Sequence, residues 1–130
     1  MKTIILNALL VFFFCSCSKE LVDRIPGEWT YTETGTKTVT SATINSTDSI
    51  GQGGTATFDE DGTGSLVVND FATNLLWSIN MDSVNLTIDN VERSYYVIEN
   101  SSSRQEWKTT FVEEENSFSF TTEKTILLTQ

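Results

Sequence analysis

Gly54-Thr55-Ala56-Thr57-Phe58-Asp59-Glu60-Asp61-Gly62-Thr63-Gly64-Ser65-Leu66 reads as one β-hairpin. Ala56 and Phe58 fall on one face of the incoming strand, Asp59 to Gly62 supplies the turn, and Ser65 to Val68 returns. Aspartate followed by glycine between alternating apolar residues is the strongest short-range hairpin cue, because the turn demands a positive φ that glycine adopts without strain.

The same period of two extends outward in both directions. Upstream, Trp29 and Tyr31 alternate with Glu28, Thr30 and Thr32, Thr36 to Ile44 is threonine-rich and extended, and polar Asn45 to Gly54 reads as a loop. Downstream, Leu75, Trp77 and Ile79 pair with Val84, Leu86 and Ile88. Ser94 to Glu99 carries Tyr96 and Ile98 on one face, and Gln105 to Val112 carries Trp107 and Phe111. A Glu113 to Asn116 turn leads to Phe118 and Phe120, and Ile126 and Leu128 form the last strand. Serine and threonine supply 34 of 130 residues, which favours strands over helices. The expectation is an all-β, antiparallel meander of eight or nine short strands, as a sandwich or an up-and-down barrel, with parallel pairing excluded because no crossover helix separates any two strands. Leu21, Val22 and Ile25 form a short N-terminal helical turn ended by Pro26.

The first residues have a different character. Lys2 is followed by an apolar run from Ile4 to Phe14, broken only by Asn7 and closed by Ser18, Lys19 and Glu20. That length fits a signal-peptide core and falls short of the roughly 20 apolar residues that span a bilayer. Phe14-Cys15-Ser16-Cys17 resembles a bacterial lipobox, which implies residues 1–16 as a lipoprotein signal peptide and Cys17 as the lipidated residue. Residues 17–26 then hold the anchor, a spacer and the helical turn, and 27–130 the barrel. No cysteine follows Cys17, so no disulfide framework competes for it. Lys19-Glu20 faintly resembles the charged signal that directs some Bacteroidota lipoproteins to the cell exterior. The expected location is the cell envelope, as an outer-membrane lipoprotein.

Gly27-Glu28-Trp29, preceded by the apolar turn, resembles the Gly-x-Trp opening of lipocalins. Together with the Thr57 to Gly64 hairpin, the Trp77 strand and Tyr96-Val97-Ile98, it is similar to the lipocalin-like domains of Bacteroidota lipoproteins. The resemblance spans residues 21–130 and implies a calycin barrel with one open end, its first tryptophan packed across the closed end.

The composition narrows the chemistry. With no histidine there is no Ser-His or Cys-His unit and no imidazole metal site, which removes the commonest nucleophilic and zinc chemistries. Paired carboxylates permit glycoside hydrolysis without histidine, but the domain is small for such work, and no enzyme activity, metal or cofactor is expected. A net charge of -10 disfavours nucleic acid. Asp59, Asp61 and Thr63 offer alternate oxygens as a calcium loop does, but without a closing glutamate the same residues satisfy a turn. Glu113 to Glu115 read as a solvated turn. Asp48-Ser49-Ile50 and Asp82-Ser83-Val84 resemble short O-glycosylation acceptors in loops. Trp29, Tyr31, Trp77, Tyr96, Trp107 and Phe111 are the candidate ligand-binding residues, although barrel core is the more economical account of each. The functional expectation is a lipid-anchored barrel binding a small apolar or amphipathic ligand; the alternative is a structural or interaction lipoprotein with a packed core and an envelope protein partner.

Overall fold

The computed structural model describes residues 21–40 and 45–130. Residues 1–20, which hold the expected leader, Cys17 and the expected spacer, lie outside the described residues. A four-residue helix, α1 (Leu21–Arg24), precedes eight strands: β1 (Gly27–Thr40), β2 (Asn45–Phe58), β3 (Thr63–Val68), β4 (Phe71–Asn80), β5 (Ser83–Ile88), β6 (Val91–Asn100), β7 (Arg104–Glu115) and β8 (Phe118–Thr129). Each strand pairs antiparallel with the next and β8 pairs with β1, so the sheet is a closed up-and-down barrel. Followed around the barrel from Tyr31 through Gly54, Val68 and Phe71, the pairing returns to β1 about a dozen residues further on, so the strands are strongly tilted.

Two-residue turns make most of the connections. Asn69-Asp70, Asp89-Asn90 and Asn116-Ser117 all have positive φ at both residues, the conformation whose twist matches paired strands and which asparagine and aspartate tolerate. The Asp59 to Gly62 turn closes with Asp59 N–H donating to Thr63 O at 2.8 Å, and Gly62 has φ 89°.

The inward face holds the core, with Trp29, Phe58, Trp77, Val84, Trp107, Ile126 and Leu128 buried, whereas outward positions of β1 such as Glu28, Thr30, Thr32 and Thr34 are exposed. Along β1 the alternation is apolar-in and polar-out, whereas Leu76, Tyr96, Ile98 and Val112 stand exposed on the outer face of other strands. α1 caps one end: Ile25 is buried, Trp29 Nε1 donates to Ile25 O at 2.8 Å, and Arg24 Nη1 reaches Asn100 O at 2.5 Å.

Several expectations change. Asn45 to Gly54 is strand, not loop, because β1 offers it a continuous ladder from Gly35↔Ile50 to Thr40↔Asn45; a partner strand satisfies its backbone whatever its side chains prefer. Ser49 therefore sits on a strand, and Ser83 opens β5. β7 runs on through Glu115, so the turn is Asn116-Ser117, and Phe118 to Leu128 is one strand rather than two. Tyr96 and Ile98, expected inside, face solvent at 70% and 56% exposure; on β6 it is Tyr95 that is buried. Four consecutive apolar residues leave the phase of β6 open, and pairing of Tyr95 with Val84, with a bulge between Val97 and Glu99, sets it.

The barrel is uneven. β1, β2, β7 and β8 have 12 to 14 residues, whereas β3 to β6 have 6 to 10. Residues 45–53 of β2 pair only with β1, and residues 109–115 of β7 only with β8. At the end opposite α1, these four strands form a flange above the rim made by the Asn69-Asp70 and Asp89-Asn90 turns.

Candidate functional site

The closed half is packed solid. The Phe58 ring meets Trp77 edge-on at 6.0 Å and Trp107 at 5.7 Å between centroids. Every indole N–H has an acceptor: Ile25 O for Trp29, Asp59 O and Thr63 O for Trp77, and Gln105 Oε1 for Trp107. Buried tryptophans whose polar ends are satisfied this way act as core anchors. Around the first turn, Thr63 N–H and Oγ1 donate to Asp61 Oδ1, and Thr63 Oγ1 also to Asp59 Oδ2. Those bonds hold the Asp61 carboxyl below its ordinary range, and the turn accounts for its aspartates.

Above this plug the lumen opens into a cup of about 290 Å³. Leu66, Leu86, Ile88 and Val91 form its apolar wall, and Tyr31, Glu33, Gln52, Asp89, Arg93, Tyr95 and Lys124 supply polar groups. Trp29, Tyr31 and Glu33 follow one another inward along β1, so the strand that plugs the floor with indole also places a carboxylate at 5% exposure in the cup wall. Glu33 is held on both oxygens. The Tyr31 hydroxyl donates to Oε2 at 2.5 Å, Gln52 Nε2 donates to Oε1 at 3.4 Å, and Lys124 Nζ stands 3.5 Å from Oε1. Burial, then the hydrogen bond and charge of Glu33, push the Tyr31 phenol far above its ordinary value. Burial and the Glu33 charge push Tyr95 up to about 12, against an opposing pull from Arg93.

At the edge of the cup, where the β6–β7 ladder stops above Tyr96↔Lys108, Arg93 bridges the gap. Its guanidinium carbon lies 3.3 Å from the Phe111 ring centroid and its Nη2 donates to Glu113 Oε1 at 2.9 Å, so stacking and an ion pair replace the missing backbone bonds.

Of the six residues singled out from sequence, Tyr31 lines the cup and Phe111 stands at its edge beneath Arg93. Trp29, Trp77 and Trp107 belong to the packed floor, and Tyr96 lies on the outer surface. The residues that sequence reasoning missed are Glu33, Gln52, Arg93, Tyr95 and Lys124. Two carried a readable signal: Glu33 continues the Trp29, Tyr31 period, and Lys124 precedes Ile126 and Leu128 on theirs. Arg93 and Tyr95 carried none, because their facing depends on the register of β5 with β6.

No protein-family model matches this chain, and no curated protein matches it either.

Proposed function

We propose that this protein is a lipid-anchored, lipocalin-like binding module of the cell envelope that holds a small amphipathic ligand in the cup of its barrel. One observation carries the reading: a cup of about 290 Å³ at the open end, with an apolar wall on one side and a hydrogen-bonding set on the other, over a floor that is already filled. Ligand sites combine concavity, apolar lining and a few convergent polar groups. The lipocalin resemblance of Gly27-Glu28-Trp29 agrees with the eight-strand closure and with Trp29 beside the helical cap.

The lipobox-like Phe14-Cys15-Ser16-Cys17 stretch supports both a lipidated Cys17 and the envelope location. The described chain begins with α1 at the closed end, four residues after Cys17, so a tether there points the mouth away from the anchoring bilayer, and the acidic body is repelled by anionic lipid. Mass spectrometry of the mature N-terminus checks the tether; a peptide that begins beyond Cys17 without acyl chains rules it out.

Native mass spectrometry of the full chain purified from membranes tests the binding role. A small molecule retained by the protein and lost on Leu86→Trp, which fills the cup, is the expected result. A stoichiometric protein partner with nothing in the cup would favour the interaction role instead, for which residues 45–53, a strand edge without a second partner, are the natural contact.

A further inference from the structure

Independently of the cup, we infer that the free edge of β2, residues 45–53, is a self-recognition site, where two copies of this chain join as antiparallel strands about a two-fold axis at Ser49.

Residues 45–53 pair with β1 on one side and with no strand among the described residues on the other. In an antiparallel ladder a residue turns both its N–H and its C=O to the same neighbour, and successive residues alternate. Asp59 N–H donates to Thr63 O across the β2–β3 hairpin, which fixes the phase: the odd-numbered residues of β2 turn toward β3. Beyond Gly54, in the flange, that neighbour is gone. Asn45, Thr47, Ser49, Gly51 and Gly53 therefore present their backbone N–H and C=O groups along an open edge, and such a row is a template for another strand.

This edge is undefended. Between Asn45 and Gly53 there is no proline, no lysine and no bulge, and the one charge, Asp48, lies across from Lys37 on β1. Their own barrel does not require Gly51 and Gly53 to be glycine: neither has a positive φ, and a Cβ would meet only Glu33 O at 4.0 Å and Tyr31 O at 3.5 Å. Glycine weakens a strand and often marks a place where another backbone comes close. The opposite margin of the flange differs. There β7 carries Glu113, Glu114 and Glu115, all exposed, and Arg93 lies over Phe111 and donates to Glu113, so charge and a covering side chain close that edge to a strand.

Self-pairing follows from the phase. With Ser49 on the axis, Ser49 faces Ser49 of the second copy, Thr47 faces Gly51 and Asn45 faces Gly53, so the open groups of the two edges satisfy each other through about ten backbone hydrogen bonds. Asp48 falls opposite Ile50, and no like charges stand directly across the seam. Pairing of β2 with the β7 edge of another copy would bring Asp48 toward three glutamates and would build a head-to-tail chain rather than a closed pair. The two-fold reverses strand direction, so α1 and the closed ends of the two copies point opposite ways. With Cys17 as the tether, the pair joins copies on facing bilayers, and that consequence alone rests on the tether.

Sedimentation of the full chain in detergent across a range of concentrations tests the pairing, and a monomer–dimer equilibrium is the expected result. Ser49→Pro removes an N–H that β1 does not use. It should weaken the dimer about tenfold or more, through loss of the two central bonds, and leave the circular dichroism of the monomer unchanged. Ser49→Lys and Ser49→Glu each set like charges face to face on the axis, so each should be monomeric alone and the two should form a dimer when mixed. A monomer at every concentration, or a dimer that both charged variants leave intact, overturns the inference. A dimer that both variants lose and that mixing does not restore overturns the register. Vesicles bearing the acylated Ser49→Lys chain should clump only with vesicles bearing Ser49→Glu; a mixed dimer in detergent without that clumping overturns the facing-bilayer arrangement.

Discussion

The Tyr31 hydroxyl lies 2.5 Å from Glu33 Oε2, so two successive inward positions of β1 hold a carboxylate in the barrel wall at 5% exposure. Neither group is placed well alone. Burying a carboxylate is costly unless it is hydrogen-bonded and charge-matched, and here Tyr31, Gln52 and Lys124 do both. Tyr31→Phe removes the shortest of these bonds and leaves Glu33 with fewer partners. The expected loss is about 1–3 kcal/mol in urea unfolding at neutral pH, with m unchanged; a loss below a few tenths would show that water replaces the phenol.

Alkali should weaken the fold through the same tyrosines. Tyr95 moves from an ordinary 10.0 to about 12, and Tyr31 moves further in the same direction. For an acid whose folded value is raised, the unfolded chain loses its proton first, so this contribution is fully present below pH 10 and is lost as pH rises through about 12. Urea midpoints measured from pH 9 upward should fall across that window, and Tyr95→Phe should fall less steeply.

Gln105 is a buried polar hub. Fully buried, it donates through Nε2 to Asn100 Oδ1 at 2.5 Å and Ser101 O at 3.1 Å and accepts from Trp107 Nε1 at 3.2 Å. Gln105→Leu keeps the shape and leaves the Trp107 N–H without a partner at the closed end, so thermal unfolding should show destabilisation of about 2 kcal/mol. Trp107→Phe in the same background should cost less than in the native chain, because the orphaned donor is then gone.

Gly54 stands where β2 leaves β3 and enters the flange. A Cβ there would come within 1.9 Å of Val67 O, a backbone atom that has nowhere to move without breaking the Gly54↔Val68 register. Gly54→Ala is expected to cost about 1–3 kcal/mol and to reduce hydrogen-exchange protection of residues 63–68 more than that of β7 or β8.

At the β4–β5 turn the strain runs the other way. Met81 has φ 55° and is 89% exposed, so it gains no burial in return for a left-handed backbone. Met81→Gly should therefore raise the stability of the barrel by about 0.5–1 kcal/mol, read as an upward shift in Tm.

Local chemistry was enough for much of the barrel. The Asp59 to Gly62 turn, the pairing of Trp77 with Leu86, and the inward facing of Trp29, Phe58 and Trp107 follow from alternation and turn residues within a few positions of each other, and each is present in the fold. Closure settled the remainder, because register is a property of two strands and not of one. The partner ladder that makes residues 45–53 a strand lies on β1; the phase that buries Tyr95 and exposes Tyr96 comes from β5; and Glu33, Arg93 and Lys124, separated by long stretches of chain, meet only because β1 joins β8 and the tilt brings β6 and β7 to the same side of the mouth. The walls were therefore readable from short-range pattern, whereas the cup exists only where distant strands come into register.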